Sequence, residues 1–189
     1  WQVWRFRAEA GSPRMAFMPG FLVGGAVGIG LGTWALTNLP ERLLVLVLGI
    51  ILLAYVALRL ATPHWALGSA MARRFGPLAG LGGGTLQGAT GISAPIGVTF
   101  IHAMGLDRAA HVFAVSTMFL LFAVVQLPAL WAAGVMQPLW LLQGLLALVP
   151  ILVFMPIGQW ASGKLSRQAF DRMILIFLGV IGLKMVLGL

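Results

Sequence analysis

The side chains equipped for chemistry gather in one stretch of this sequence, Gly80 to Gly97, which reads GLGGGTLQGATGISAPIG. Thr85, Gln87, Thr90 and Ser93 bring hydroxyl and amide donors there without a fixed charge. Gly84, Gly88 and Gly91 allow close helix approach and permit positive φ where a helix must unwind. Pro95 lacks an N–H and disfavours helix at Ala94. A second half-helix starting near Pro95 would expose unpaired N–H groups, which attract anions through aligned dipoles. Ser116, Thr117 and Gln126, in the next apolar run, are candidates to face the same cavity. The candidate substrate-binding residues are therefore Gln87, Gly88, Thr90, Gly91, Ser93, Pro95, Ser116, Thr117 and Gln126.

The charge inventory narrows the chemistry. The chain holds only four acidic residues, Glu9, Glu41, Asp107 and Asp171, all in or beside predicted loops. No carboxylate is placed to hold a sodium, potassium or metal ion at membrane depth, so a polar, backbone-rich site suits a small anion better than a cation. With no cysteine, disulfides, thiolate metal sites and thiol nucleophiles are excluded together. No metal, cofactor or catalytic residue is expected. His102 and His111 flank a short turn and are candidates for proton coupling, because histidine titrates near neutral pH; an interfacial role is the plainer reading. An intramembrane hydrolase using Ser93 and His102 is the weaker alternative, since Gly91-Ile92-Ser93-Ala94-Pro95 is not a nucleophile elbow. The structural counterpart to all of these roles is packing: glycine-rich membrane helices pack closely, and Ser and Thr bond back to their own backbone.

The composition decides where this stretch lies. The 189 residues are 60% hydrophobic and 8% charged, with a mean hydropathy of +1.01. A soluble domain would carry about 25% charged residues. The chain therefore reads as an all-α polytopic membrane bundle, with room for about six segments of roughly 20 residues each. No two-residue alternation is sustained, which argues against an outer-membrane barrel. The net charge of +8 comes from arginines in connecting segments, such as Arg5, Arg7, Arg14, Arg73 and Arg74, where charge meets lipid headgroups rather than nucleic acid.

Around the central stretch the elements follow in order. Apolar runs are expected at about 15–37, 43–61, 77–104, 109–131, 138–160 and 173–189. In the first, Gly24-x-x-x-Gly28-x-x-x-Gly32 forms a small-residue stripe that another helix can approach closely. The second is smooth and apolar, a lipid-facing support helix with Arg59 snorkelling at its end. Pro150 and Pro156 predict a kink in the fifth. Broken backbone at membrane depth survives only where it is buried in protein or lines a polar cavity, and the 77–104 segment fits that description.

A weak internal repeat is legible. Gly32-Thr33-Trp34-Ala35 aligns with Gly158-Gln159-Trp160-Ala161 at an offset of roughly 126 residues, and the smooth helix around Gly49 aligns with the one around Gly179 at about 130. Residues 1–61 are then the remnant of a first repeat, 62–76 a polar connection, and 77–189 a complete second repeat. The start at Trp1, beside Trp4, Arg5 and Arg7, reads as the end of a preceding helix and therefore as a shortened chain.

These residues resemble the TauE/SafE family of membrane transporters, the sulfite-exporter type. The likeness rests on the Gly-x-x-x-Gly-x-x-Gly-x-x-x-Pro pattern at Gly84, Gly88, Gly91 and Pro95, followed by Gly105-Leu106. The Leu127-Pro128 helix end and the GTWALTNLPERLL turn from Gly32 to Leu44 match as well. The resemblance implies two repeated halves with a substrate site between them, and secondary transport or export of sulfite, a sulfonate or a related oxyanion. Where the family commonly has paired glycines, this chain has Ser93-Ala94, which adds a donor. An anion channel is a close variant, and a non-transporting scaffold has little use for a broken polar segment. The expected partners are a small anionic substrate, the lipid bilayer of a bacterial inner membrane and, as an option, further copies of the chain in a homo-oligomer.

Overall fold

The computed structural model describes residues 2–61, 67–164 and 167–188. Every regular element among the described residues is helical. These are α1 (Gln2–Arg5), α2 (Met18–Asn38), α3 (Glu41–Ala61), α4 (Ser69–Thr90), α5 (Gly97–Ala103), α6 (Arg108–Ala132), α7 (Pro138–Lys164) and α8 (Arg167–Leu187). Two short 3-10 turns, Arg7–Gly11 and Pro13–Met15, join α1 to α2, where the sequence predicts only a linker. Among the described residues, four segments are long and apolar enough to cross a membrane: Pro13–Asn38, Glu41–Ala61, Arg108–Ala132 and Pro138–Gly158.

Helix boundaries largely follow the apolar runs, with two differences. α4 starts at Ser69, eight residues before Pro77, so the polar connection is shorter than expected and Pro77 lies inside the helix. α8 likewise begins at Arg167, well before Met173. Both shifts have one cause: Ser, Ala, Met, Arg and Gln continue a helix readily, and their polarity marks only where the apolar part begins. His64 lies outside the described residues.

The core of the fold is a direct meeting of backbones between α2 and α4. A Cβ placed at Gly24, Gly28 or Gly32 would run into the carbonyl oxygen of Pro77, Leu81 or Thr85 on α4. Reciprocally, one at Gly80, Gly84 or Gly88 would meet the carbonyl oxygen of Phe21, Gly25 or Ile29 on α2. The predicted stripe on α2 thus has a matching stripe on α4, each at four-residue spacing. In a bilayer, where lipid tails are as apolar as leucine, such close van der Waals packing is what holds helices together.

Four phenylalanines lock α5 and α6 onto this pair. Phe21 stacks on Phe100 with ring centroids 5.7 Å apart, and on Phe122 at 6.4 Å. Phe17 meets Phe100 edge-on at 5.8 Å. Gly25 makes room for the Phe122 ring, against which any Cβ would clash. α3 and α8 form a second pair. A Cβ at Gly49 would stand 3.0 Å from Gly182 O and 2.9 Å from Met185 Cβ. Gly182 therefore makes the close approach, whereas Gly179, the residue aligned with Gly49 by the repeat, faces open space. α7 runs unbroken through Pro150 and Pro156, and among the described side chains of its spanning segment none is buried.

Candidate functional site

The predicted break is present. α4 ends at Thr90, Gly91 caps it in the left-handed region with φ 75°, and residues 91–96 are non-helical before α5 begins at Gly97. A residue with a Cβ is strained at that φ, which is why glycine stands there. The half-helix end, however, does not offer its donors freely. Ile96 N and Gly97 N donate to Ser93 O at 3.2 and 2.8 Å, Thr99 N donates to Ala94 O at 3.4 Å, and Phe100 N donates to Ile96 O at 2.9 Å. The turn around Ser93-Ala94-Pro95 absorbs amides that the sequence pattern left available, so ligand contact here falls to side chains.

The sequence-predicted residues divide into three groups. Gln87 and Gln126 are brought together: Gln87 Nε2 donates to Gln126 Oε1 at 2.8 Å, and Gln126 Nε2 donates to Gln87 O at 3.0 Å. Ser93 and Pro95 lie in the break, Pro95 and His102 line one cavity beside it, and Thr117 is on α6. Ser93 is buried with only 2% exposure. His102 and His111 stand edge to face, with ring centroids 5.9 Å apart. The remaining candidates are occupied elsewhere. Gly88 is in the α2–α4 seam. Thr90 Oγ1 donates back to Leu86 O at 2.7 Å and accepts from Ile92 N at 3.3 Å. Ser116 Oγ turns outward to Gln2 Oε1 at 2.6 Å. For Gly88, Thr90 and Ser116 the packing and back-bonding reading describes what is observed.

Three buried oxygens in this region have no hydrogen-bond partner within the protein: Gln87 Oε1, Ser93 Oγ and Thr117 Oγ1. They stand on α4, in the break and on α6. Leaving a buried polar atom unpaired costs roughly 1–3 kcal/mol. Thr33 Oγ1 is a fourth unpaired buried oxygen, on α2, and the sequence reading did not single it out.

Beside the break lies a half-open, mostly apolar cavity of about 320 Å³, lined by Ile92, Ala94, Pro95, Val98, Thr99 and His102 from the break and α5, by Leu52, Tyr55 and Arg59 from α3, and by residues of α8. Arg59 and Tyr55 are the residues that sequence reasoning missed. The available signals were slight: Arg59 is a basic residue closing an otherwise apolar run, and Tyr55 is the single tyrosine of the chain. A second cavity, about 490 Å³, lies between α2, α3 and α4; its lining is apolar apart from Thr85 and Thr90. Thr85 Oγ1 bonds back to Leu81 O at 2.8 Å. The first cavity is therefore the one that combines a cation, a histidine and hydroxyls next to broken backbone. Among the described residues no group of His, Cys, Asp and Glu is arranged to hold a metal ion.

A polytopic all-α membrane protein with an interrupted helix beside a cavity that Arg59 and His102 reach has the build of a membrane transporter. The chain belongs to the sulfite exporter TauE/SafE family, whose family model matches residues 1–185. It is accordingly a multi-pass membrane protein of a transporter family, as the glycine and proline pattern led us to expect. No curated protein and no solved structure matches it.

Proposed function

We propose that this chain moves a small oxyanion of the sulfite or sulfonate class across a bacterial inner membrane, and that the cavity beside the Gly91–Ile96 break is a station on its path. The observation that carries this reading is the placement of Arg59 and His102 in one cavity with Tyr55, Thr99 and the broken backbone. A guanidinium with forked donors matches an oxyanion better than any other side chain. Hydroxyls from Tyr55 and Thr99 supply neutral donors around it. The volume is many times the roughly 10–15 Å³ that a water needs, so an anion can enter with part of its hydration shell.

The buried, unpartnered oxygens of Ser93, Thr117 and Gln87 are further polar groups that such a route would use. Hydroxyl groups there can turn to donate to an anion, while the Gln87 carbonyl oxygen holds a water or a protonated species. Movement of the α3–α8 pair against the tightly joined α2–α4 pair would alternate access. The ring contact between His102 and His111 supports a role for the pair in passing a proton alongside the anion.

Reconstitution tests this directly. Proteoliposomes holding the purified protein should show protein-dependent sulfite or sulfonate flux that Arg59→Gln weakens. Absence of flux for sulfite, sulfonates and sulfate alike would overturn the substrate class.

A further inference from the structure

We propose a second anion site on this protein, distinct from the transport cavity: a pocket between α1 and the start of α6 that holds the phosphate headgroup of an anionic lipid. The pocket, about 510 Å³, is lined by Gln2, Arg5, Phe6, Arg108, Ala109 and Val112. Two arginines more than a hundred positions apart in sequence converge on it, and among the described residues neither makes an ion pair. Neither Glu9 nor Asp107 lines the pocket. Asp107 also does not cap α6 with its side chain.

The surroundings fix the depth of the pocket and thus the source of the anion. α6 is one of the helices able to cross a membrane and Arg108 is its first residue, so the pocket lies where a span meets the headgroup layer. Arg108 at the positive end of its own helix is poorly placed by itself, and an anion beside it offsets that repulsion. Trp4 is 63% exposed, Arg7 lies 5.3 Å over its ring, and Arg5 lies 5.8 Å over the Phe6 ring. Aromatic rings and arginines alternating over a few residues are the usual composition of a membrane–water boundary. The Ser116–Gln2 hydrogen bond pins α1 against α6, which holds Arg5 opposite Arg108 and leaves the Gln2 amide nitrogen as a further donor. Forked guanidiniums from two sides suit a phosphodiester bidentately, and negative lipid attracts such a cluster from the bilayer surface.

Native mass spectrometry of the purified protein, titrated with phosphatidylglycerol or phosphatidylcholine of matched chains, tests the site. The expected result is preferential retention of phosphatidylglycerol. Arg5→Gln and Arg108→Gln should each weaken it about tenfold, whereas Arg74→Gln on α4 should leave it unchanged. Arg5→Lys and Arg108→Lys, which keep charge and fold but lose the fork, should fall between. Equal retention of both lipids, or equal loss in Arg74→Gln, overturns the proposal. Thermal stabilisation by inorganic phosphate or sulfate without any by phosphatidylglycerol also overturns it, making the pocket a soluble-anion site. Sulfite flux is read separately, so failure here does not touch the transport assignment.

Discussion

Gln87 and Gln126 hold each other by two different atoms. The Gln87 side-chain amide donates to the Gln126 side chain at 2.8 Å, and Gln126 donates to the Gln87 main-chain carbonyl at 3.0 Å. The pair ties α4 to α6 next to the break and leaves Gln87 Oε1 as an unused acceptor. Interhelical hydrogen bonds in membranes are worth about 0.6 kcal/mol each on average. Gln126→Leu should therefore lower stability by about 1–2 kcal/mol. A cycle with Gln87→Leu, read by thermal unfolding in detergent, should give a coupling of about 0.5–1.5 kcal/mol. Strict additivity would mean that the two side chains act independently.

The α2–α4 seam predicts a sharp contrast between neighbouring glycines. Gly84→Ala would drive a methyl into the Gly25 carbonyl, while a Cβ at Gly82 meets only the Ile96 side chain at an ordinary 3.6 Å. Gly84→Ala should yield little monodisperse protein. Gly82→Ala should be tolerated, or should stabilise by up to about 1 kcal/mol through helix propensity. Fluorescence-detected size exclusion across a temperature series separates the two outcomes.

At Gly91 the constraint is conformational: φ is 75°, and no atom lies within 4 Å of the place a Cβ would occupy. Gly91→Ala should cost about 1–2 kcal/mol from the left-handed geometry alone, and Gly91→Asn distinctly less. If both variants unfold at the wild-type temperature, the helix does not end where the structure ends it.

Arg59 should decide affinity. A hydrogen bond to a charged group contributes about 1.5–3 kcal/mol, so Arg59→Gln should raise KM for the transported anion roughly tenfold to a hundredfold. Arg59→Lys should recover part of that loss, because charge remains and the fork does not. An unchanged KM in proteoliposome flux would move the anion's path away from this cavity.

The two histidines yield a test of coupling. With rings 5.9 Å apart and edge to face, His102→Gln or His111→Gln should abolish the response of flux to an imposed pH difference while sparing exchange at equal pH. Retained coupling in the double variant would place proton transfer elsewhere.

Helices, their order and the break were legible because they depend on local properties. Apolar runs set α2, α3, α6 and α7, and Gly91 with Pro95 announced the interruption. The α2 stripe at Gly24, Gly28 and Gly32 announced a close partner, although not which one. What stayed hidden depends on distant contacts. Arg59 looked like a snorkelling end residue because its cavity is completed by α5 and α8. Ser116 looked equivalent to Thr117, yet adjacent helical positions point about 100° apart, and only one of them turns inward. The donors expected at the start of α5 vanished into the carbonyls of Ser93, Ala94 and Ile96, a local outcome that only the turn geometry determines. Gly88 illustrates the reverse: its pattern fitted a site, and its neighbour on α2 made it structural.

At six glycines α2 and α4 meet backbone to backbone, with no side chain between them to change rotamer. Such a joint has no soft coordinate: a small slide brings a carbonyl against a Cα, and closely packed contacts are bistable rather than continuously deformable. The two helices therefore form a stator. Any rocking that carries cargo is left to the α3–α8 pair, which touches α2 and α4 only lightly, across the cavity that holds Arg59.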